Sequence, residues 1–377
     1  MIPVKYKDKV AHAEAVIAEW YSRNGGKVFI AFSGGKDSTV LLHLVRSKYP
    51  DVKAVFCNTG LEYPELVKFA ESFPNVDTVR PKKSFVKVLT EDGFPIANKR
   101  TAKAISHLQN PSPRNFRTRR LALTGYVTRD NKVQKRSKIA RKWMHMPWSD
   151  VRTTEACCGY LKKDPTKVWQ RDHPGYYPFV GTMLGEGATR DISLNARMCN
   201  IFEGSNRSSI PFKFWNTEDV WRYIDENDVE ICSVYKDYNL SRTGCTFCAY
   251  GAEFEPKDNN RFTKLKESHP KQFNAFIHKF GMNKALDYAG VSYGEEPSFT
   301  PPGIPKYICE ECKGEFSMYD IKYITERSWT DKEKENPTPT SGMDLYCAGC
   351  KPKELTSAAN GTKLIASLAP TGENRDP

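Results

Sequence analysis

The sequence contains no long apolar run and no export signal. Its 377 residues include no stretch of about 18 consecutive apolar residues, the length that a transmembrane helix needs. The first residues, Met1-Ile2-Pro3-Val4-Lys5, lack the apolar core of a signal peptide. We therefore expect a soluble, cytoplasmic protein that has no membrane partner.

Acidic residues are scarce relative to basic ones. The chain has 57 Lys and Arg against 45 Asp and Glu, a formal net charge of +12, which favours a polyanionic partner. The imbalance is concentrated in residues 99–142, where fourteen Lys and Arg accompany one acid, Asp130. Such a stretch is either a flexible, solvated insert or a nucleic-acid contact. The interleaved aromatic residues Phe116 and Tyr126 fit the second interpretation.

Without an export signal, the eleven cysteines are not expected to form disulfides. The singletons Cys57, Cys199 and Cys232 are predicted to be small apolar fillers. The other eight are grouped and predict metal sites. These groups are Cys157-Cys158, Cys245-x-x-Cys248, Cys309-x-x-Cys312 and Cys347-x-x-Cys350.

The stretch Ser33-Gly34-Gly35-Lys36-Asp37-Ser38 is the strongest functional signal. The apolar run 27–32 before it predicts a buried strand, and residues 38–45 have apolar side chains at helical spacing. A Gly-rich turn between a strand and a helix start forms an anion site, because the first helical N–H groups point at the ligand. Lys36 adds a positive charge, and hydroxyls come from Ser33, Ser38 and Thr39.

A second strand is predicted at residues 53–57, followed by a Gly- and Pro-containing loop, 58–65, and a helix at 65–73. In open α/β sheets, ligands bind beyond the carboxyl ends of the strands. Thr59 and Gly60 are therefore expected to border the same crevice as the Gly-rich turn.

These segments resemble a known family. Residues 33–38 resemble the pyrophosphate (PP) loop of the adenine nucleotide α-hydrolase superfamily. Residues 58–65 are similar to the Asp-Thr-Gly-x-x-[Phe/Tyr]-Pro-Glu-Thr segment of phosphoadenylyl-sulfate and adenylyl-sulfate reductases, with Asn58 in place of the aspartate. Residues 181–190 keep the spacing of another reductase segment, and Met183 stands where an arginine is usual. With the helix predicted after Pro211, the resemblance covers residues 28 to 250.

The resemblance implies an α/β fold with a doubly wound, mostly parallel sheet. We expect a nucleotide-binding domain at 1–255, a helical extension at 256–295, a zinc-ribbon-like module at 306–352 and a flexible tail at 353–377. The expected ligand is ATP or an adenylyl sulfonucleotide. The residues expected to bind it are Ser33, Gly34, Gly35, Lys36, Asp37, Ser38, Thr39, Thr59, Gly60, Gly181, Glu186 and Arg190. Among them, Lys36 and Asp37 are the catalytic candidates: Lys36 would neutralise pyrophosphate charge and Asp37 would help to hold Mg²⁺.

The first four grouped cysteines are similar to those of the iron–sulfur adenylyl-sulfate reductases. Neighbouring thiols diverge and cannot readily bind one small ion, whereas a four-iron cluster offers separated corners. We therefore predict a [4Fe–4S] cluster; the alternative is two buried cysteines plus half a zinc site. Lys162 and Lys163 resemble the basic residues that follow the cysteine pair in that family. The predicted cluster ligands are Cys157, Cys158, Cys245 and Cys248.

The last four cysteines form two knuckles separated by 34 residues. Four thiolates satisfy Zn²⁺ tetrahedrally and leave no open position, which predicts a structural zinc site. The intervening residues are expected to form a hairpin and an acidic loop, 331–335. A disulfide or a redox Cys-x-x-Cys is the alternative. The predicted zinc ligands are Cys309, Cys312, Cys347 and Cys350.

Three functions fit these patterns, and we rank them in this order. The first is ATP-dependent sulfur transfer to a nucleic acid, which the basic stretch 99–142 and the zinc module favour; a sulfur or electron donor protein would be a further partner. The second is a phosphoadenylyl-sulfate or adenylyl-sulfate reductase that releases sulfite, although the reductase's C-terminal Glu-Cys-Gly-x-His-type motif is missing from the sequence. The third is a non-catalytic nucleotide-binding module.

Overall fold

The computed structural model describes residues 5–129, 132–135, 138–185, 195 and 197–350. They divide into two compact units. The first unit takes its residues from 1–88 and 156–247, and the second unit from 89–155 and 248–377. No described helix is both long enough and apolar enough to cross a membrane.

The first unit is a doubly wound α/β structure. Its strands are β1 (Val28–Phe32), β2 (Lys53–Cys57), β3 (Val76–Val79), β6 (Tyr177–Phe179), β7 (Asn200–Ile201) and β8 (Ser208–Ser209). They form one sheet in the order β3-β2-β1-β6-β8-β7, parallel except for β7. The helices are α1 (Tyr6–Arg23), α2 (Lys36–Arg46), α3 (Pro64–Ser72), α7 (Asp164–Asp172), α8 (Thr217–Glu226) and α9 (Val234–Asp237). The predicted mostly parallel α/β fold is confirmed.

Alternation along β1 places apolar side chains on both faces of the sheet. Val28, Ile30 and Phe32 belong to the larger core, which α1, α2 and α8 also line. Phe29 faces the other way and packs on Trp169 of α7. Both faces of a parallel strand are covered, which explains why the segment reads as a continuous apolar run.

The second unit contains helices and short hairpins. Its helices are α5 (Lys99–Gln109), α6 (Phe116–Thr124), α10 (Arg261–Ser268), α11 (Pro270–Asn274), α12 (Met282–Ala289) and α13 (Asp331–Glu335). Helix α4 (Phe85–Glu91) spans the boundary of the two units. The strands pair antiparallel as β4 (Tyr126–Arg129) with β5 (Lys132–Lys135), β9 (Lys306–Ile308) with β10 (Glu315–Ser317), and β11 (Tyr323–Glu326) with β12 (Met343–Tyr346).

Two expectations for the second unit are wrong. Residues 99–124 are not a flexible insert, because α5 and α6 bury an apolar face that includes Ala102, Ile105 and Leu108. The acidic segment 331–335 is a helix rather than a loop. Its N-terminus is capped by the Thr330 side chain, which accepts a hydrogen bond from the backbone N–H of Glu333.

Candidate functional site

The Gly-rich loop leaves the carboxyl end of β1 and leads directly into α2. Gly34 has φ = +72°, and a Cβ there would lie 3.1 Å from Cγ of Leu66, so both its conformation and its packing require glycine. The Ser38 hydroxyl donates to the Gly35 carbonyl over 2.9 Å and lies 3.0 Å from the Ser33 hydroxyl. Hydrogen bonds within the loop therefore fix its conformation at the first turn of α2.

Lys36 is buried at the start of α2. Its ammonium lies 2.6 Å from Oδ1 of Asp37, whose side chain is about one-third exposed. The charge of Lys36 is thus held against the neighbouring carboxylate, beside the helix N-terminus. This places a cation and an exposed carboxylate next to the backbone N–H groups, the combination that a phosphate and its metal ion would use.

The loop after β2 is held by a buried carboxylate that the sequence analysis did not single out. Glu62 accepts hydrogen bonds from the backbone N–H and the hydroxyl of Thr59, each over 2.9 Å. Gly60 has φ = +78°, and its N–H donates to Oδ1 of Asn58. Because β2 is parallel to β1, this loop and the Gly-rich loop leave the same edge of the sheet.

Beyond β6, Gly181 lies against the first turn of α2. A Cβ on Gly181 would be 3.4 Å from the carbonyl oxygen of Asp37. Met183 is buried in the larger core of the first unit, so the position where an arginine is usual supplies packing and no charge. Glu186 and Arg190 lie outside the described residues.

One predicted cluster cysteine of the first unit contacts a lysine, and the charge of a second acts on the same lysine. The Lys162 ammonium hydrogen-bonds to Cys245 and is close to Cys158. Burial opposes its charge, but Cys245 and Glu62 outweigh that effect and raise the pKa of Lys162. A cation between thiols balances the negative charge that metal-bound thiolates bring, so these residues suit a thiolate-bound cluster.

Cys57 is more than an apolar filler. Its thiol donates to the carbonyl oxygen of Leu161 over 3.0 Å, in the π-helical turn Gly159–Lys163 that follows the cysteine pair. Burial, followed by the Glu62 carboxylate, raises the pKa of Cys57 to about 12. The group is therefore a protonated thiol that positions the turn carrying Lys162.

The fourth predicted ligand, Cys248, is described with the second unit, because the boundary falls after Phe247. Only the sequence, in which Cys248 follows Cys245 by three residues, relates it to the other three predicted ligands. Participation of all four cysteines in one cluster therefore stays a prediction.

The second unit holds a compact four-cysteine group. One knuckle forms the turn between β9 and β10, and the other directly follows β12. All four sulfur atoms lie within 4.8 Å of one another, and Cys312 and Cys347 are 4.0 Å apart. Sulfurs bound to one tetrahedral ion at about 2.3 Å would be about 3.8 Å apart. The group thus fits a single metal ion. Its members are Cys309, Cys312, Cys347 and Cys350.

The local backbone favours the thiolate form of one member of this group, Cys309, whereas burial and hydrogen bonds with the other three thiols raise the pKa of Cys350 to about 12. Burial alone would raise the pKa of Cys309, but backbone N–H donors led by Cys347 and Cys312 lower it to about 6. The backbone N–H of Glu310 donates to the carbonyl of Leu345 and joins the two hairpins. Metal ligands must be deprotonated, so the lowered pKa favours metal binding near neutral pH.

A buried arginine attaches the four-cysteine region to α6. Arg119 is completely buried, and its guanidinium donates to the carbonyls of Pro339 and Ser341 over 2.9 and 3.0 Å. It also donates to Oδ1 of Asn115. A buried guanidinium is stable only with such acceptors, so Arg119 ties the loop before β12 to the helix.

Two further residues at the Gly-rich loop were missed by sequence reasoning. The Tyr235 hydroxyl accepts a hydrogen bond from the backbone N–H of Lys36 over 2.9 Å. Thr243 lies 3.2 Å from the same hydroxyl. Their positions nearly 200 residues beyond the loop explain why no local pattern indicates them.

A mostly parallel sheet with a Gly-rich loop at the point where its strand order reverses is typical of the doubly wound class. Residues 27–92 and 115–250, more than half of the chain, match the family model described as the phosphoadenosine phosphosulfate reductase domain. The chain belongs to this family.

Similarity to individual proteins is weaker than the family match. An uncharacterized protein of Methanocaldococcus jannaschii is 24% identical over 285 residues, which cover 72% of this chain and 54% of that protein. The chain thus spans about half the length of that relative. The crystal structure of phosphoadenylyl-sulfate reductase from Candida auris in its phosphate complex has 14% identity and a TM-score of 0.36, covering 62% of this chain and 87% of that one.

Proposed function

We propose that the protein is an enzyme that binds ATP at residues 33–39 and transfers sulfur to a nucleic acid. The observation that best supports a nucleic-acid substrate is the surface of α5 and α6 in the second unit. Five exposed cations lie on these helices and on the turn between them, and none of the five has an ion-pair partner among the described residues: Lys99, Arg100, Lys103, Arg114 and Arg117. Because residues 99–129 include no Asp or Glu, this surface favours a polyanion.

In the proposed reaction an oxygen of the nucleic acid attacks the α-phosphorus of ATP, pyrophosphate leaves, and a sulfur nucleophile then displaces AMP. The backbone N–H groups of Asp37 and Ser38 and the Lys36 ammonium stabilise the departing pyrophosphate, and the Asp37 carboxylate would hold Mg²⁺. Sulfide supplies the sulfur directly; if the donor is a persulfide, a thiol reductant must afterwards cleave its S–S bond and release the thiolated product. Met183 also fits this reaction, because the side chain standing in place of an arginine offers no charge to a phosphosulfate.

The second candidate is a sulfonucleotide reductase, which the family match favours. That reaction needs a thiol that attacks the sulfur of a phosphosulfate and releases sulfite. In this chain every cysteine after Cys248 belongs to the compact four-cysteine group. This leaves the reductase second.

Replacing Lys36 with alanine is expected to weaken ATP binding by about 1.5–3 kcal/mol, or roughly 10- to 150-fold. The physical reason is the loss of one charge-assisted contact to the β- or γ-phosphate. Isothermal titration calorimetry with Mg²⁺-ATP measures the change, and Lys48→Ala is the matched control. Lys48 follows α2 and pairs with Glu14, remote from the loop. Equal weakening in both variants would contradict the assignment.

The choice of nucleotide separates the two candidate reactions. If the loop holds a triphosphate, the wild-type protein binds ATP more tightly than AMP and needs Mg²⁺ to do so. A reductase instead binds a phosphosulfate best, without metal, and releases sulfite when thiol reductant is added. Calorimetry with ATP, AMP and adenylyl sulfate, each with and without Mg²⁺, decides between the two reactions. Tight binding of adenylyl sulfate together with no detectable binding of ATP would overturn our ranking.

The two groups of cysteines supply the proposed metal centres. The compact four-cysteine group binds Zn²⁺, because four thiolates and no open position suit a structural ion. Cys157, Cys158, Cys245 and Cys248 bind the [4Fe–4S] cluster, which supplies sulfur or redox chemistry. The Lys162 ammonium faces the thiols of the first unit and balances their negative charge.

Removing three cations from α5 tests the nucleic-acid surface. Lys99, Arg100 and Lys103 changed together to alanine should reduce the salt dependence of binding by about 2–3 in the slope of log K against log salt. Fluorescence anisotropy with a labelled RNA hairpin at several salt concentrations measures this slope. The control variant removes three exposed lysines elsewhere in the second unit, Lys257, Lys271 and Lys279. Indistinguishable slopes for the two triple variants would refute the surface.

A further inference from the structure

Two hydroxyl groups lie directly above the Gly-rich loop. A Cβ built on Gly35 would stand 2.7 Å from Oγ1 of Thr243 and 3.3 Å from the hydroxyl oxygen of Tyr235. The first distance is too short for a real side chain and the second is tight, so glycine at position 35 lets both hydroxyls approach the loop backbone. The contact is part of the anion site, because Gly35 immediately precedes α2.

Tyr235 is fixed and orients its neighbour. Its ring is buried and packs edge-on against Trp221, with centroids 5.9 Å apart. The hydroxyl oxygen already accepts the backbone N–H of Lys36, and Thr243 is its other hydrogen-bond neighbour among the described residues. Thr243 is half-buried and makes no other side-chain hydrogen bond in the described chain, so its hydroxyl has capacity for a ligand.

Thr243 begins a short segment that reaches a predicted cluster ligand. We call residues 243–246 the strap. At its far end, the backbone N–H and the hydroxyl of Thr246 both donate to the carbonyl of Leu61 over 2.9 Å. Between these ends, Cys245 contacts Lys162. The strap is therefore attached to the loop after β2 at one end and lies on the Gly-rich loop at the other.

We infer that the Thr243 hydroxyl is a phosphate-binding group and that the strap transmits nucleotide occupancy to Cys245. The inference rests on the proposed nucleotide site. It adds a contact between Thr243 and the phosphate, and an effect of that contact on Cys245. A phosphate at the N-terminus of α2 accepts a hydrogen bond from Thr243, which Tyr235 keeps in place. Because Cys245 follows two residues later, an ordered Thr243 restricts the thiol that faces Lys162. Thr243 is a binding residue, and Tyr235 is a positioning residue.

The test uses the full-length protein as purified under anaerobic conditions. Thr243→Val removes the hydroxyl and keeps the shape, whereas Thr243→Ser keeps the hydroxyl. We expect Thr243→Val to weaken Mg²⁺-ATP binding about tenfold in calorimetry and Thr243→Ser to stay within about twofold of the wild type. Hydrogen exchange of the peptide that covers the strap provides the second readout. ATP should slow its exchange in the wild type and in Thr243→Ser, and leave it unchanged in Thr243→Val.

Two different results would overturn the inference. If Thr243→Val binds ATP as tightly as the wild type and ATP still protects the strap, the hydroxyl is not a phosphate ligand, and the nucleotide site itself survives. If the wild-type protein binds no adenine nucleotide, the proposed site fails together with this contact. Tyr235→Phe also removes the acceptor of the Lys36 N–H, so its melting temperature should fall, and the expected intermediate loss of affinity is measured well below that temperature, where circular dichroism shows a folded protein.

Discussion

Replacing Cys347 with serine is expected to unfold the region from β9 to Cys350 and to release its metal. Four thiolates around Zn²⁺ supply most of the stability of so small a unit, with apparent binding free energies of about 10–16 kcal/mol in zinc-finger peptides. The two hairpins otherwise share few connections, among them the Glu310 N–H bond to the Leu345 carbonyl. Limited proteolysis of residues 306–350, with zinc measured by elemental analysis, detects the change. A chelator should give the same result.

The control variants separate metal binding from docking. Cys199→Ser changes a cysteine outside the group and should leave zinc and protease resistance unaltered. Arg119→Met keeps all four thiols but leaves buried carbonyls of Pro339 and Ser341 unpaired, which should cost about 2–4 kcal/mol of unfolding free energy with zinc retained. ATP binding by the first unit should persist in every variant. Resistance of residues 306–350 to protease in zinc-free Cys347→Ser would show that the metal is not structural.

Short-range signals explain why much of the first unit is predictable. The apolar run 27–32 marks β1 because a parallel strand buries both faces, and the helix predicted after Pro211 is present as α8, which Asn216 caps with a capping box. Helix α5 was not predicted from the sequence, and this error also has a physical cause. Its buried face is a narrow stripe on an otherwise cationic helix, so charge dominates the composition, although the Asn98 cap precedes it.

The candidate site was predictable only where its residues are close in sequence. The Gly-rich loop and each Cys-x-x-Cys knuckle are local patterns whose geometry follows from the turn itself. Long-range contacts are different, because any of many hydroxyls could have met the loop. The fold selects Tyr235 and Thr243, and it places Lys162 beside both Glu62 and Cys245. The position of Lys162 after the cysteine pair singles it out in the sequence, but no periodicity or spacing indicates which residues meet it.

Replacing Cys245 with serine is expected to remove the proposed iron–sulfur cluster. Wild-type protein prepared without oxygen should be brown and contain about four iron and four sulfide per chain. A serine hydroxyl is a poor replacement for a soft thiolate at iron, and the loss leaves Lys162 without its sulfur partner. We therefore expect the variant to lose the visible absorbance and almost all of its iron. Ultraviolet–visible spectra with iron and sulfide analysis provide the measurement.

The control variant Cys57→Ser changes a cysteine near Cys245 that is not a predicted cluster ligand. It shows whether iron is lost because a ligand is missing or because the surrounding structure is disturbed. The Cys57 thiol contacts the turn at Leu161 but is protonated, so we expect this variant to keep its iron and colour. Circular dichroism and ATP calorimetry show whether Cys245→Ser remains folded, since α2 and the Gly-rich loop do not depend on a cluster. Full iron retention in folded Cys245→Ser would eliminate the assignment. Iron loss in both variants would instead show that disturbing the turn beside Leu161 is enough to release the cluster, and Cys245→Ser would then no longer identify Cys245 as a ligand.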